Sequence, residues 1–171
     1  MTYFDQQTER LTFRKLTRKD IPVWTEFFVD NDRIRFLGID LSKKPETQAT
    51  DWIEKQLERY KLAGLGHLAI ELKDPKVFIG VGGIIPRELD KKNEFEIAYS
   101  LLPNYWNNGY GTEIARQLKV FGLESLKSER LISIIHVDNM ASKKVALKIG
   151  MESLFESQYL GMKVTVYGTI N

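Results

Sequence analysis

Cysteine is absent from the 171 residues, which excludes disulfide scaffolds, cysteine nucleophiles and thiolate metal sites together. A reducing compartment fits that absence, and a cytoplasmic location is the expectation. No apolar run approaches the roughly 18 residues a membrane helix requires. The opening Met1-Thr2-Tyr3-Phe4-Asp5-Gln6 lacks a basic start leading into an apolar core, so neither a signal peptide nor a membrane partner is expected. Charge of one sign is also scarce. With 25 basic and 23 acidic residues the net charge is +2, which lacks the strongly basic footprint of a nucleic-acid binder. Lys43-Lys44 and Lys91-Lys92 read as solvated loop edges. There are two histidines, His67 and His136, without a second His or an acidic residue at ligand spacing, so no metal is expected.

What is present suits one globular domain over residues 1–171, since 43% hydrophobic and 28% charged residues suffice for a core. No repeat, low-complexity tract or linker interrupts the chain. Arg10 to Leu16 alternates as a strand, and Thr17-Arg18-Lys19-Asp20 resembles a capping signal for a helix over Ile21 to Asp30. Trp24, Phe27 and Phe28 would be its buried stripe. A polar stretch follows to Thr47. Ala49, Trp52, Ile53, Gln56, Leu57 and Tyr60 recur at helical spacing within a second helix, Pro45 to Ala63, which Gly64 can end. Strands are expected at His67–Leu72, Val77–Ile85 and Phe95–Leu102, with turns at Asp74-Pro75-Lys76 and Leu89 to Asn93. A helix over Tyr110–Leu126, a strand over Arg130–Val137 and a short helix over Met140–Ile149 come next. Two strands, Met151–Tyr159 and Lys163–Ile170, close the chain. The fold class is mixed α/β. The helical crossover between the strands ending at Leu102 and Val137 makes those two parallel.

Gly109-Tyr110-Gly111 lies between a strand and a helix. Glycine lets backbone approach a ligand, and the first helical turn offers amides with no internal partner. Together these can form an anion site suited to pyrophosphate, although a tight turn explains the same residues. A P-loop is excluded by the missing Lys. A dinucleotide fingerprint is excluded by Ile114 where a third glycine belongs, and by the antiparallel strands upstream.

Glu96-Ile97-Ala98-Tyr99-Ser100-Leu101-Leu102-Pro103 followed by Tyr105-Trp106-Asn107-Asn108-Gly109-Tyr110-Gly111-Thr112-Glu113 resembles the core motif of the GNAT superfamily of N-acetyltransferases. Val137-Asp138-Asn139-Met140-Ala141-Ser142, continuing to Gly150-Met151, resembles a second motif, and Arg10 to Thr17 resembles the first strand. The similarity spans about residues 9 to 170. The wider pattern has Gln or Arg three residues before the first glycine. Trp106 stands there instead, as in the branch similar to ribosomal-protein alanine N-acetyltransferases. The resemblance implies a mostly antiparallel twisted sheet with a splayed parallel strand pair, flanked by about four helices. It implies acetyl-CoA as co-substrate and an amine as acceptor. The amides of Asn108 to Thr112, with Asn107 beside them, would hold the pyrophosphate. The strand end at Leu101 and Leu102 would pair with the pantetheine arm, Asn139 would contact that arm, and Ser142 would lie near the sulfur.

Acetyl transfer needs a neutral amine. An α-amine with a pKa near 8 is about 10% neutral at pH 7, against less than about 0.1% for a lysine side chain. The resemblance makes Glu96 the candidate base, directly or through water; the alternative is an exposed strand-edge carboxylate. Ser142 could serve the departing thiolate, or simply sit in the first turn of a helix capped by Asn139. Tyr99 is a second candidate acid, or core. A strand amide near Ile97 or Ala98 would stabilise the carbonyl oxygen, and His136 could face the acetyl group. Trp24, Phe27, Phe28, Phe36 and Leu37 would border the acceptor cleft, completed by Gly64-Leu65-Gly66 and Tyr159 to Lys163, with Asp30, Asp32 and Asp40 available to attract a cationic amine. The acceptor is open among protein N-termini, polyamines, aminoglycosides and small amines, and monomer and homodimer are both possible. A non-catalytic acyl-CoA-binding regulatory module is the competing reading.

Overall fold

The structure, a computed structural model, describes residues 2–170. Seven strands form one sheet: β1 (Leu11–Lys15), β2 (Gly66–Leu72), β3 (Val77–Leu89), β4 (Lys92–Leu101), β5 (Ile132–His136), β6 (Met151–Tyr159) and β7 (Met162–Thr169). Their spatial order is β1-β2-β3-β4-β5-β7-β6. All neighbours are antiparallel except β4 and β5, which run parallel, as the crossover rule requires. Four α-helices flank the sheet: α1 (Ile21–Thr25), α2 (Pro45–Ala63), α3 (Tyr110–Glu124) and α4 (Met140–Lys148).

Alternation along each strand sends side chains to two separate cores. Leu68 and Ile70 join Ile114, Leu118 and Phe121 of α3, while Ala69 between them joins Trp24, Phe27 and Ile53 on the opposite face. α2 starts where Pro45 presets the helical φ, and it ends at Gly64 in the left-handed region (φ 64°).

The first helix is shorter than the sequence suggests. α1 stops at Thr25 and continues only as a tight 3-10 turn, Glu26–Phe28. The Thr25 hydroxyl donates back to the Ile21 carbonyl at 2.8 Å, a local bond that competes with regular helix. Asn31 then ends the turn by donating to the Phe27 carbonyl (2.9 Å) while accepting from the Arg33 amide (3.1 Å). β3 is longer than expected, running through Pro86 to Leu89. The cause is a two-residue turn at Asp90-Lys91, both at positive φ, which pairs Leu89 directly with Lys92.

Candidate functional site

β4 and β5 pair at one position alone, Glu96 opposite Ile132. Beyond it the strands diverge, and Ile97, Ala98, Tyr99 and Ser100 face Ser133 to His136 across a cavity of about 120 Å³. The Leu102 amide donates to Ile79 of β3 at 2.9 Å. Alternation along the β3–β4 ladder therefore turns the amides of Ser100 and Ala98 towards β3 as well, and turns the amides of Leu101, Tyr99 and Ile97 towards the β5 side. The Ser133 hydroxyl donates to the Ile97 carbonyl at 3.1 Å, at the point where the strands part.

The gap opens at one end into a cleft of about 580 Å³ that reaches the glycine loop. Asn107, Gly109, Tyr110, Gly111 and Thr112 line it. Asn107 and Gly109 both take positive φ (61° and 80°), so the chain turns sharply before α3 begins. The Glu113 amide makes the first intrahelical bond, to the Gly109 carbonyl at 3.1 Å. That leaves the preceding amides free, the arrangement that binds anions at a helix start. A Cβ on Gly111 would lie 3.1 Å from the Tyr99 ring, so glycine permits this close approach. Trp106 buttresses the loop through its indole N–H, which donates to the Leu101 carbonyl at 2.8 Å. The Arg33 guanidinium lies 3.6 Å from the centre of the Trp106 ring. Arg33, Lys144 and Lys148 give this cleft a cationic lining.

Glu96 is 7% exposed and sits at the vertex of the splay. Its Oε2 accepts from Arg87 Nε at 2.6 Å, and its Oε1 has no partner among the described residues. Burial alone would lower the Arg87 pKa, but the charge and hydrogen bond of Glu96 outweigh burial and raise it. Tyr99 is buried against the same cavity, its phenol pushed up to about 12 by that burial, with the neighbouring Ser142 side chain partly opposing the rise. The Ser142 amide donates to Asn139 Oδ1 at 3.2 Å, so Asn139 caps α4. The His136 ring lies tilted by 40° against Phe36, ring centres 4.8 Å apart, and accepts from the Asp138 amide at 3.1 Å.

On the far side of Glu96 a third pocket, of about 250 Å³, shares Leu37, Trp52, His67 and Arg87 with the central cavity. His67 is 4% exposed and stacks on Trp52. Burial, then the charges of Arg59, Arg87 and Lys55, hold its pKa well below the usual value, so the ring is neutral.

Several expected site residues meet here: Glu96, Leu101, Asn107, Gly109 to Thr112, Asn139 and Ser142 all line the central cavity or the loop cleft. Two do not. The Leu102 amide is already bonded to β3, which removes it from pairing across the gap. Asn108 lines neither pocket: its side chain donates to the Trp106 carbonyl at 2.8 Å and its carbonyl accepts from Arg10 at 3.0 Å, bonds that do not use its amide, the group expected at the phosphate. Glu96 is not an exposed edge carboxylate, because β3 and β5 flank it. Trp24 and Phe28 belong to the core, and Gly64 to Gly66 lie outside the three pockets. Of the three aspartates, Asp40 alone lines a pocket. Arg87 was missed, yet the hairpin turn carries the signal. Pairing Leu89 with Lys92 puts Ile85 opposite Glu96 and Arg87 diagonal to it. Among the described residues no group of His, Asp or Glu is placed to hold a metal ion, and no helix is long and apolar enough to cross a membrane.

Comparison with known proteins agrees with this geometry. The uncharacterized N-acetyltransferase YoaA of Bacillus subtilis is 27% identical over 164 residues, covering 95% of this chain and 92% of its own. The crystal structure of an acetyltransferase from Agrobacterium tumefaciens superposes with a TM-score of 0.80 at 26% identity, covering 100% of this chain and 96% of that one. The ribosomal alpha-N-protein acetyltransferase RimL, solved in complex with coenzyme A, shares the fold with a TM-score of 0.74 at 16% identity, covering 95% of each chain. The family described as Acetyltransferase (GNAT) domain matches residues 10–152. The chain belongs to the GNAT acetyltransferase family and is an acyl-CoA-dependent transferase.

Proposed function

We propose that this enzyme moves the acetyl group of acetyl-CoA to a primary amine by direct attack on the thioester, with Glu96 as base. The observation that carries the reading is the single-residue pairing of β4 and β5. It leaves strand-edge groups unpaired for a pantetheine arm and puts a buried carboxylate where that arm would end. The free amides at the start of α3, with Arg33, Lys144 and Lys148 around them, suit the phosphates at the other end.

In the transfer step the amine nitrogen bonds to the carbonyl carbon and the carbon–sulfur bond breaks. The nitrogen's proton passes to Glu96 Oε1, directly or through water. Among amides that could meet the developing oxyanion, alternation favours Tyr99: Ala98 faces β3, and the Ile97 amide faces Ile132 at the one position where β4 and β5 pair. Tyr99 and Ser142 share the leaving-group side. Full proton transfer from a phenol near 12 to a thiolate near 8.5 runs uphill. The hydroxyl pair therefore stabilises the thiolate by hydrogen bonding, and the sulfur takes its proton from solvent. With a protein or small-molecule α-amine, already partly neutral at pH 7, the carboxylate needs only to collect the proton.

Incubating the protein with acetyl-CoA and a panel of primary amines, while following free thiol and product mass, tests this. Thiol release that rises with amine, and a product heavier by one acetyl group, is the expected result. Saturable CoA binding with no acetylated product from any amine would overturn it.

A further inference from the structure

Four cations line the outer pocket: Lys43 just ahead of α2, Lys55 and Arg59 from α2, and Arg87 from β3. Each charge in this pocket can be traced to a partner or to none. Lys43 pairs with Asp51 at 2.7 Å, and Asp40 accepts from the Ser42 amide and hydroxyl at 2.9 and 2.6 Å. Arg87 is matched by Glu96. Lys55 and Arg59 have no carboxylate within ion-pair distance among the described residues. Arg59 Nη1 reaches only the neutral amide oxygen of Gln56, at 3.2 Å.

Their placement makes the imbalance more telling. Lys55 and Arg59 stand four residues apart, so they project from one face of α2, a spacing at which like charges destabilise a helix. Burial, then the charges of Arg59 and Arg87, lower the Lys55 pKa against the opposing Glu58; burial and Arg87 lower that of Arg59 against Glu96 and Tyr159. The same three charges surround His67, whose Nδ1 is buried without a hydrogen-bond partner, as is the neighbouring Trp52 indole nitrogen. Gln56 holds this wall in place. Its Oε1 accepts from the His67 amide at 2.9 Å as well as from Arg59. A pocket that admitted a polyamine or another multiply cationic acceptor would not be lined this way, since like charge in a partly buried site repels the ligand.

We propose that the acceptor amine carries an anionic group, carboxylate or phosphate, which Lys55 and Arg59 hold at the outer end of the cleft while the amine reaches Glu96. The assignment rests on the acetyl-transfer reading of the central cavity. Arg87 stands between the two ends, bonded to Glu96 on one side and lining the anion pocket on the other. An acceptor of this kind places its positive and negative groups on opposite sides of Arg87.

Matched acceptor pairs test the assignment: an amino dicarboxylate against its carboxamide, an aminoalkyl phosphate against the amino alcohol, and a peptide whose second residue is Glu against one with Gln. The expected result is a preference in kcat/KM of about tenfold or more for the anionic member. The preference falls to within about twofold in the double variant Lys55→Gln, Arg59→Gln. It reverses in Lys55→Glu, Arg59→Glu, because the pocket would then repel what it had bound. The phosphate arm tells which anion is favoured, and the peptide arm whether the source is a free metabolite or a chain terminus. Equal rates for all pairs in the wild type, or a preference that survives the double variant, would overturn the proposal. Thermal unfolding provides a readout independent of turnover. Anionic acceptors should raise the Tm of the wild type and not of the double variant, even if no acetyl group moves. If no acetylated product forms but this difference persists, the transfer reading fails and the anion pocket stands; if product forms without it, the reverse holds.

Discussion

The loop end of the cleft builds its anion cradle on one unbroken stretch of backbone, Asn107 to Thr112, with Arg33, Lys144 and Lys148 beside it, whereas the outer end relies on side chains from the segment before α2, from α2, β2 and β3, and from the turn after β6. Backbone amides at a helix start bind an anion whatever the neighbouring side chains are, so one loop geometry serves every acceptor. Side chains gathered from distant elements can change singly without disturbing the sheet. Within one fold, the conserved chemistry of a common co-substrate suits the first construction and a changing acceptor suits the second. Glu96 lies at the join, on a strand that borders both.

The largest expected effect separates the two ends at that join. Glu96→Gln should lower kcat about 100-fold or more at neutral pH while leaving the Kd for CoA within about twofold. Retained activity across the pH range would remove Glu96 from the mechanism. At the loop end, Gly109→Ala places a Cβ at φ 80°, a conformation costing about 1 kcal/mol. It should raise the Kd for CoA about tenfold, measured by calorimetry, with little change in acceptor selectivity. Arg33→Gln removes the cation stacked on Trp106 and should weaken CoA binding about threefold at low salt. The difference should shrink at 0.5 M salt, which screens exposed charges.

The smallest effect concerns the strut beneath the loop. Glu113 in the first turn of α3 accepts from the Thr8 hydroxyl at 2.5 Å and from Arg10 Nε at 2.7 Å. Burial would raise its pKa, but these bonds outweigh burial and lower it. A depressed folded-state value means the contribution is complete above the unfolded pKa, near 4.5, and is lost as pH falls through the folded value. The Tm gap between wild type and Glu113→Gln should therefore be constant above about pH 6 and close progressively below about pH 4.5. A gap independent of pH would make the contact one of shape rather than charge.

The same contrast explains what could be read in advance. The loop end was legible because its residues are contiguous: Gly109-Tyr110-Gly111 before a helix, then Asn139 and Ser142 at the next helix start. Element order and the parallel pair followed from periodicity and the crossover rule. The break after Thr25 was hidden because Trp24, Phe27 and Phe28 keep helical spacing while a Thr hydroxyl and Asn31 redirect the backbone. Leu102 looked equivalent to Leu101, yet strand alternation turns its amide the opposite way. The cations of the outer pocket lay in two elements read as ordinary, Lys55 and Arg59 on the polar side of a helix and Arg87 beyond the expected end of a strand. Their meeting depends on the hairpin turn at Asp90-Lys91, which is a local signal, and on the seat of α2 against β2, which no local pattern encodes.

The most direct measurement is amide hydrogen exchange, resolved by residue, with and without CoA. If the pantetheine arm completes the splayed sheet, CoA should slow exchange at Tyr110, Gly111 and Thr112 and at the gap-facing amide of Tyr99, leaving the β6–β7 hairpin unchanged. CoA binding that leaves Tyr99 and the start of α3 unprotected would contradict the placement of the thioester beside Glu96.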